Sequence, residues 1–150
     1  MVTGTPPASS ALPRAPVADA PRLRLRLRDG TPVTLHTSDL WCDATIAGDE
    51  RAEITAQIAG GVAGKISYAR VYGPRAVLCI EVAETYWHRG LPALLLSALC
   101  ARAAQLGIAT FLMRIRADDL RLLALLCERF DARTNRDGAY VDVEFAVPVP

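Results

Sequence analysis

Apolar and polar residues alternate at a period of two in the segment Arg22 to Arg28, where Leu23, Leu25 and Leu27 stand between arginines. That period predicts a strand with one wet face, at the edge of a sheet. Asp29-Gly30 then predicts a hairpin turn into a second strand, Pro32 to Thr37. Ser38 to Ala47 shows no period and reads as a loop or a single helical turn. Alternation returns at Ala52, Ile54, Ala56 and Ile58, followed by a Gly60-Gly61 turn, Val62 to Val71, a Gly73-Pro74 turn and Ala76 to Val82. Three antiparallel strands joined by short turns fit this spacing. From Pro92 the spacing becomes helical, with Leu95, Leu99, Arg102 and Leu106 on one face and Gly107 at the C-cap position. A strand follows over Thr110 to Arg116, then a helix N-capped by Asp118 or Asp119 and running to about Arg129. The Asp137-Gly138 turn introduces a last strand, Ala139 to Val147. Strands, helix, strand, helix, strand is the order of an α/β or α+β domain, a sheet with helices packed on it.

Composition narrows the class. The chain has 150 residues, 51 % of them hydrophobic, which is enough for one core and too few for two full domains. Residues 1–21 are rich in Pro, Ala and Ser and read as a disordered tail, leaving 22–150 as a single domain. Seventeen basic and sixteen acidic side chains leave a net charge of +1, so no field spans the chain to hold a polyanion. This argues against nucleic acid as the main partner, although the Arg22 to Arg28 stripe could meet phosphates. The longest apolar run, Leu91 to Ala101, contains Pro92 and ends at Arg102, too short to cross a bilayer. Without a secretion signal in residues 1–21, the expected address is cytoplasmic. Cys42, Cys79, Cys100 and Cys127 are far apart and have only His36 and His88 as imidazole companions, so no metal site is expected. Cys79, Cys100 and Cys127 sit in apolar runs and read as core.

The segment Glu81 to Leu95 carries the chemistry. A strand enters a turn containing Gly90, and a long apolar helix follows. Such a junction presents free backbone amides and the positive end of a helix, a seat for phosphate. It is neither a Walker loop nor a GxGxxG fingerprint, and an ordinary strand-to-helix turn would read the same way.

The phrase around it is similar to that of the GNAT superfamily of acyl-CoA-dependent N-acyltransferases. The family's motif A, Q/R-x-x-G-x-G/A, corresponds here to Trp87-His88-Arg89-Gly90-Leu91-Pro92. Arg116-Ala117-Asp118-Asp119 followed by Leu122 to Leu126 resembles motif B of bacterial protein-lysine acetyltransferases, and Leu27 to Thr34 resembles their first strand. The resemblance spans about residues 26–147 and implies a mixed, mostly antiparallel sheet with helices packed on it. The sheet would be splayed between the family's fourth and fifth strands, here the strand ending near Ala83 and the strand Thr110 to Arg116. It also implies acetyl-CoA or another acyl-CoA as co-substrate and a protein lysine or small-molecule amine as acceptor. The pantetheine arm would lie on the backbone of Glu81, Val82 and Ala83. The pyrophosphate would lie on the amides of His88, Arg89, Gly90, Leu91 and Ala93, with Asp119 in place of the motif B Asn.

The departures are specific. Trp87 replaces the family's Gln or Arg, and Pro92 replaces its second small residue and lacks an amide hydrogen. Leu126 stands where many relatives place a Tyr that serves as general acid, and Ala76 or Val77 where they place a Glu that serves as general base. Glu81 is the remaining candidate base, unless it pairs with Arg70 or Arg114 across the sheet. Between Thr37 and Asp49 only about a dozen residues stand where the family has two helices, so the acceptor wall is shortened or supplied by a partner chain or second copy. A non-catalytic CoA-binding or protein-interaction module is the alternative reading.

Overall fold

The computed structural model describes residues 22–41 and 50–148. The tail expected over residues 1–21, and residues 42–47 of the segment expected to be irregular, lie outside the described residues. Eight strands follow one another as β1 (Arg22–Arg26), β2 (Pro32–Trp41), β3 (Glu50–Ile58), β4 (Gly61–Tyr72), β5 (Arg75–Val82), β6 (Thr110–Arg116), β7 (Arg133–Asp137) and β8 (Tyr140–Ala146). Two helices, α1 (Leu91–Gln105) and α2 (Leu120–Phe130), flank β6, and a short 3-10 helix, Glu84–Arg89, leads from β5 into α1. The strands form a single sheet in the order β1-β2-β3-β4-β5-β6-β8-β7. Every neighbouring pair is antiparallel except β5 with β6, the pair bridged by the α1 crossover.

The expected mixed, mostly antiparallel sheet is therefore present, with two differences. β2 continues through Ser38 to Trp41, where a loop or helical turn was expected, because those residues pair with Glu53 to Glu50 of β3. β7 was not expected at all. Its sequence, Arg-Thr-Asn-Arg-Asp, is exposed throughout and carries no apolar period, yet it pairs with β8 across the Asp137-Gly138 turn.

Both described helices lie on one face. On the sheet side this face shows Ala52, Ile54, Ala56, Ile66, Tyr68, Leu78, Phe111, Met113, Val143 and Phe145, all buried. Leu91, Leu95, Leu99 and Ala103 of α1 and Leu122 and Leu126 of α2 close it. Aromatic rings run through this layer: Tyr68 lies 5.6 Å from Phe111, Phe111 5.7 Å from Phe145, and Phe145 4.9 Å from Phe130 of α2. Among the described residues no helix covers the opposite face, as antiparallel sheets allow.

That asymmetry corrects the expectation for the cysteines. Cys100, on α1, is buried, and burial pushes its thiol up to about 12. Cys79 alternates outward with Val77 and Glu81 on the open face, and Cys127 lies beside the Leu122–Leu126 stripe; both are exposed. At the sheet edge, β1 is wet on both sides at its start, since Leu23 is 52 % exposed as well as the arginines, and burial begins only at Leu27. α1 packs chiefly over β3, β4 and β5, and only the turn end of this edge, Arg26 to Arg28, borders it.

The β1–β2 turn is pinned to the segment ahead of α1. Asp29 accepts from the amide and hydroxyl of Thr31 at 3.0 and 2.7 Å, and Arg89 Nε donates to it at 2.8 Å. The two Thr31 bonds, and after them Arg89, hold the Asp29 carboxyl at about 2. A carboxyl depressed in the folded state adds stability above its ordinary value, near 3.8, and loses it as pH falls through about 2. Asp29→Asn is therefore expected to lower the melting temperature at neutral pH, with the gap to the parent closing as pH approaches 2. Thermal melts at several pH values check this; a gap of constant size would refute it.

Candidate active site

β5 and β6 are hydrogen-bonded only where they begin. Their register pairs Arg75 with Thr110, Ala76 with Phe111 and Val77 with Leu112, and then stops, although β5 runs on to Val82 and β6 to Arg116. Each strand keeps its other neighbour throughout, β5 on β4 and β6 on β8. The facing backbone edges beyond Val77 and Leu112 therefore open into a V, the expected splay, here between the fifth and sixth strands in chain order.

At the end of β5, Gly64 lets the helix layer come close. A Cβ on it would meet Glu81 O and Leu95 Cδ1 at 3.2 Å. Ala83 donates to Ala63 O, and the chain then turns through the 3-10 helix to Gly90, whose φ of +88° belongs to the left-handed region that glycine adopts without strain. α1 starts there with no side-chain cap, and Pro92 has no amide hydrogen to offer. The N-terminus of α2, by contrast, is capped by the Asp119 carboxylate, which accepts from Leu122 N at 3.4 Å.

A hollow of about 270 Å³ lies at the start of α1, between it and α2. Trp87, His88, Gly90 and Ala93 line it, and Arg28 and Arg121 project over it. Arg121 stacks on the Trp87 ring at 4.2 Å and forms a bidentate pair with Glu84, one arm being Nη2 to Oε1 at 3.0 Å. Arg121 holds the Glu84 carboxyl below the usual range. Trp87, which departs from the family motif, is thus the platform for an arginine of α2.

The predicted binding residues divide by how they face this region. His88, Gly90 and Ala93 line the hollow, while the Leu91 side chain is buried under it. The Arg89 guanidinium is committed elsewhere, to Asp29 and Thr31 and over the Tyr86 ring at 5.0 Å. Only its backbone remains near the α1 start. The Asp119 carboxylate caps α2, as one of the two caps the sequence offers, and lies 4.0 Å from Arg121. Removing it in Asp119→Ala should cost about 1 kcal/mol of stability, and Asp119→Ser should recover most of that. Urea denaturation checks the pair, and equal losses in both variants would count against the capping role.

Glu81, Val82 and Ala83 border a shallow hollow of about 360 Å³ with Lys65. Glu81 is exposed and stands opposite Lys65 in the β4–β5 register. The cross-sheet pairs considered for it do not form: Arg70 binds Glu50, and Arg114 binds Asp137 and Asp142. Ala76 is buried and Val77 faces the open side, so neither position supplies a proton acceptor.

A larger hollow, about 570 Å³, lies on the open face where the V begins, between Val77 and Leu112 and the β7–β8 hairpin. Arg114 joins Asp137 at 2.8 Å and Asp142 at 2.9 Å, and Glu144 lies 3.6 Å from Arg75 and 3.7 Å from Arg133. Of these, Arg75, Arg133, Asp142 and Glu144 were not singled out from the sequence. The Asp137-Gly138 turn did carry a signal, because a hairpin turn needs a strand on each side.

Comparison with known proteins agrees with this geometry. Residues 21–131 match the acetyltransferase (GNAT) family. No curated protein matches the sequence. Among solved structures, the GNAT domain of S. lividans PAT superposes with a TM-score of 0.69 at 16 % identity, covering 83 % of this chain and 96 % of that one. A cAMP-binding acyltransferase from Mycobacterium smegmatis gives 0.69 at 18 % identity, covering 88 % of this chain and 49 % of its own, so the present chain spans about half of that protein. The PaiA N-acetyltransferase from Thermoplasma acidophilum, solved with coenzyme A, gives 0.59 at 14 % identity, covering 64 % and 60 %. With the match running from β1 through α2, the chain belongs to the acetyltransferase (GNAT) family of acyl-CoA-dependent N-acyltransferases.

Proposed function

We propose that the chain transfers an acetyl or other short acyl group from acyl-CoA to a primary amine that approaches from the open face of the sheet. The observation that carries this is the parting of β5 from β6 beyond Val77, next to an uncapped helix start. A pantetheine arm needs an unpaired strand edge, and a pyrophosphate needs free amides at a positive helix end; both lie side by side here. The co-substrate supplies the activated acyl group when bound. The backbone of Glu81, Val82 and Ala83 holds its arm, and the amides of His88, Gly90, Leu91 and Ala93 face its phosphates. An amide on the β5 edge would stabilise the oxyanion that develops during attack.

The acceptor amine must lose a proton to attack, and Glu81 is the carboxylate on the cleft strand that no arginine engages among the described residues. It takes that proton directly or through one water. Val77 and Leu112 make the floor of the acceptor hollow apolar, and the β7–β8 hairpin gives it a polar wall from this chain itself. The acceptor remains a class, primary amines, with protein lysine one member.

Calorimetric titration with acetyl-CoA, followed by a free-thiol assay over a panel of amines, tests the reading. Binding with amine-dependent thiol release is the expected result. Binding without release from any amine would replace transfer by a CoA-binding module, and no binding would overturn the reading altogether.

A further inference from the structure

The stripe of alternating arginines in β1 is not used by any step of transfer, yet its last member reaches the α1 start. Arg28 lies so close to Gly90 that a Cβ there would meet its Nε at 3.2 Å. It separates two hollows, the one between α1 and α2 and a second of about 230 Å³ bordered by Arg26, Arg28, Ser97 and Arg129. Among the described residues none of these three arginines forms an ion pair. Arg26 spends one N–H on Gly30 O at 2.9 Å, and Arg28 and Arg129 have no hydrogen-bond partner among the described residues. Among the described residues, Glu128 is the one carboxylate that borders either hollow, and it lines the first, not the second. In a chain of net charge +1, where most other described arginines are paired with Asp or Glu, three arginines border one hollow that no carboxylate borders among the described residues. Like charges crowded together raise the energy of the empty site and lower it again when a dianion enters.

Resting on the acyl-CoA reading above, we infer that Arg26, Arg28 and Arg129 form a subsite for the ribose 3′-phosphate of CoA, so that this chain distinguishes CoA from 3′-dephospho-CoA. With the pyrophosphate at the α1 start, Arg28 stands at the boundary between the hollows and contacts both phosphate groups. Arg129 and Arg26 bind the 3′-phosphate alone, and the Ser97 hydroxyl is within the same wall. Side-chain guanidinium groups thereby replace the backbone donor that Pro92 lacks.

The test is calorimetry on the full chain with CoA and with 3′-dephospho-CoA, at low and at high salt. CoA is expected to bind about tenfold more tightly at low salt, one charge-assisted contact's worth, with the difference shrinking as salt rises. Arg129→Gln is expected to shrink the difference several-fold while leaving the dephospho-CoA constant unchanged. Arg24→Gln, in the same stripe and outside the hollow, should change neither. Circular dichroism confirms that each exposed substitution leaves the fold intact. Equal affinity for the two ligands in the parent would overturn the subsite and leave the acyl-CoA reading standing. So would a loss of equal size for both ligands in Arg129→Gln, which would mean unspecific attraction. Failure of the parent to bind either ligand would overturn both readings.

Discussion

Arg70→Met is expected to lower the stability of the protein by about 3–5 kcal/mol, the cost of leaving a buried carboxylate without its cation. Glu50, at the start of β3, is 7 % exposed and is the buried charged residue of the described core. It accepts from Tyr68 Oη at 3.1 Å and from Arg70 Nε at 3.0 Å. The remaining Arg70 donors go to Gly73 O at 2.5 Å and Leu106 O at 2.7 Å, so one guanidinium joins β3, the β4–β5 turn and the end of α1. Methionine keeps much of the stem's volume and removes every donor. Urea unfolding measures the effect. The double variant Glu50→Leu/Arg70→Met should lose much less than Arg70→Met alone, because an apolar pair leaves no orphaned charge. A single-variant loss below about 1 kcal/mol would show that Glu50 does not depend on Arg70 in the folded state.

Glu81→Gln is expected to reduce turnover by roughly 10² at neutral pH while barely moving acyl-CoA affinity. Glutamine keeps the shape of the side chain and cannot accept a proton. The contacts assigned to the arm of the co-substrate are made by the backbone of this strand, which the change leaves in place. Neither Arg70 nor Arg114 ties up Glu81, because both are committed to other carboxylates. Steady-state rates with a competent amine, beside the binding constant from calorimetry, separate the two effects. Equal turnover in variant and parent would remove Glu81 from the reaction, and the carboxylates of the open-face hollow, Asp142 and Glu144, would be the next to replace.

Much of the scaffold was legible in the chain because it rests on local spacing. β3 alternates buried Ala52, Ile54, Ala56 and Ile58 as its sequence does, and the helical spacing from Leu91 to Ala103 became the buried stripe of α1. Asp119 caps α2 from the position its side chain predicts. The motif from Trp87 to Pro92 marked the strand-to-helix junction, and the helical spacing after it placed a helix between the strand ending near Ala83 and the strand Thr110 to Arg116. All of these depend on residues within a turn or two of one another.

What only the tertiary structure decided depends on which face of the sheet was covered and which distant groups met. Cys79 lies in an apolar run, yet it is exposed because both described helices pack on the other face. β7 has no hydrophobic period because it sits at the sheet edge with all its side chains in water, and backbone pairing to β8 alone makes it a strand. The Arg70–Glu50 pair spans twenty residues, and the approach of Arg28 to Gly90 brings a turn of the first hairpin to the start of α1. Hydrophobic period encodes how a segment folds on itself. The charges that meet across segments are set by sheet order and helix docking, which no single window of sequence contains.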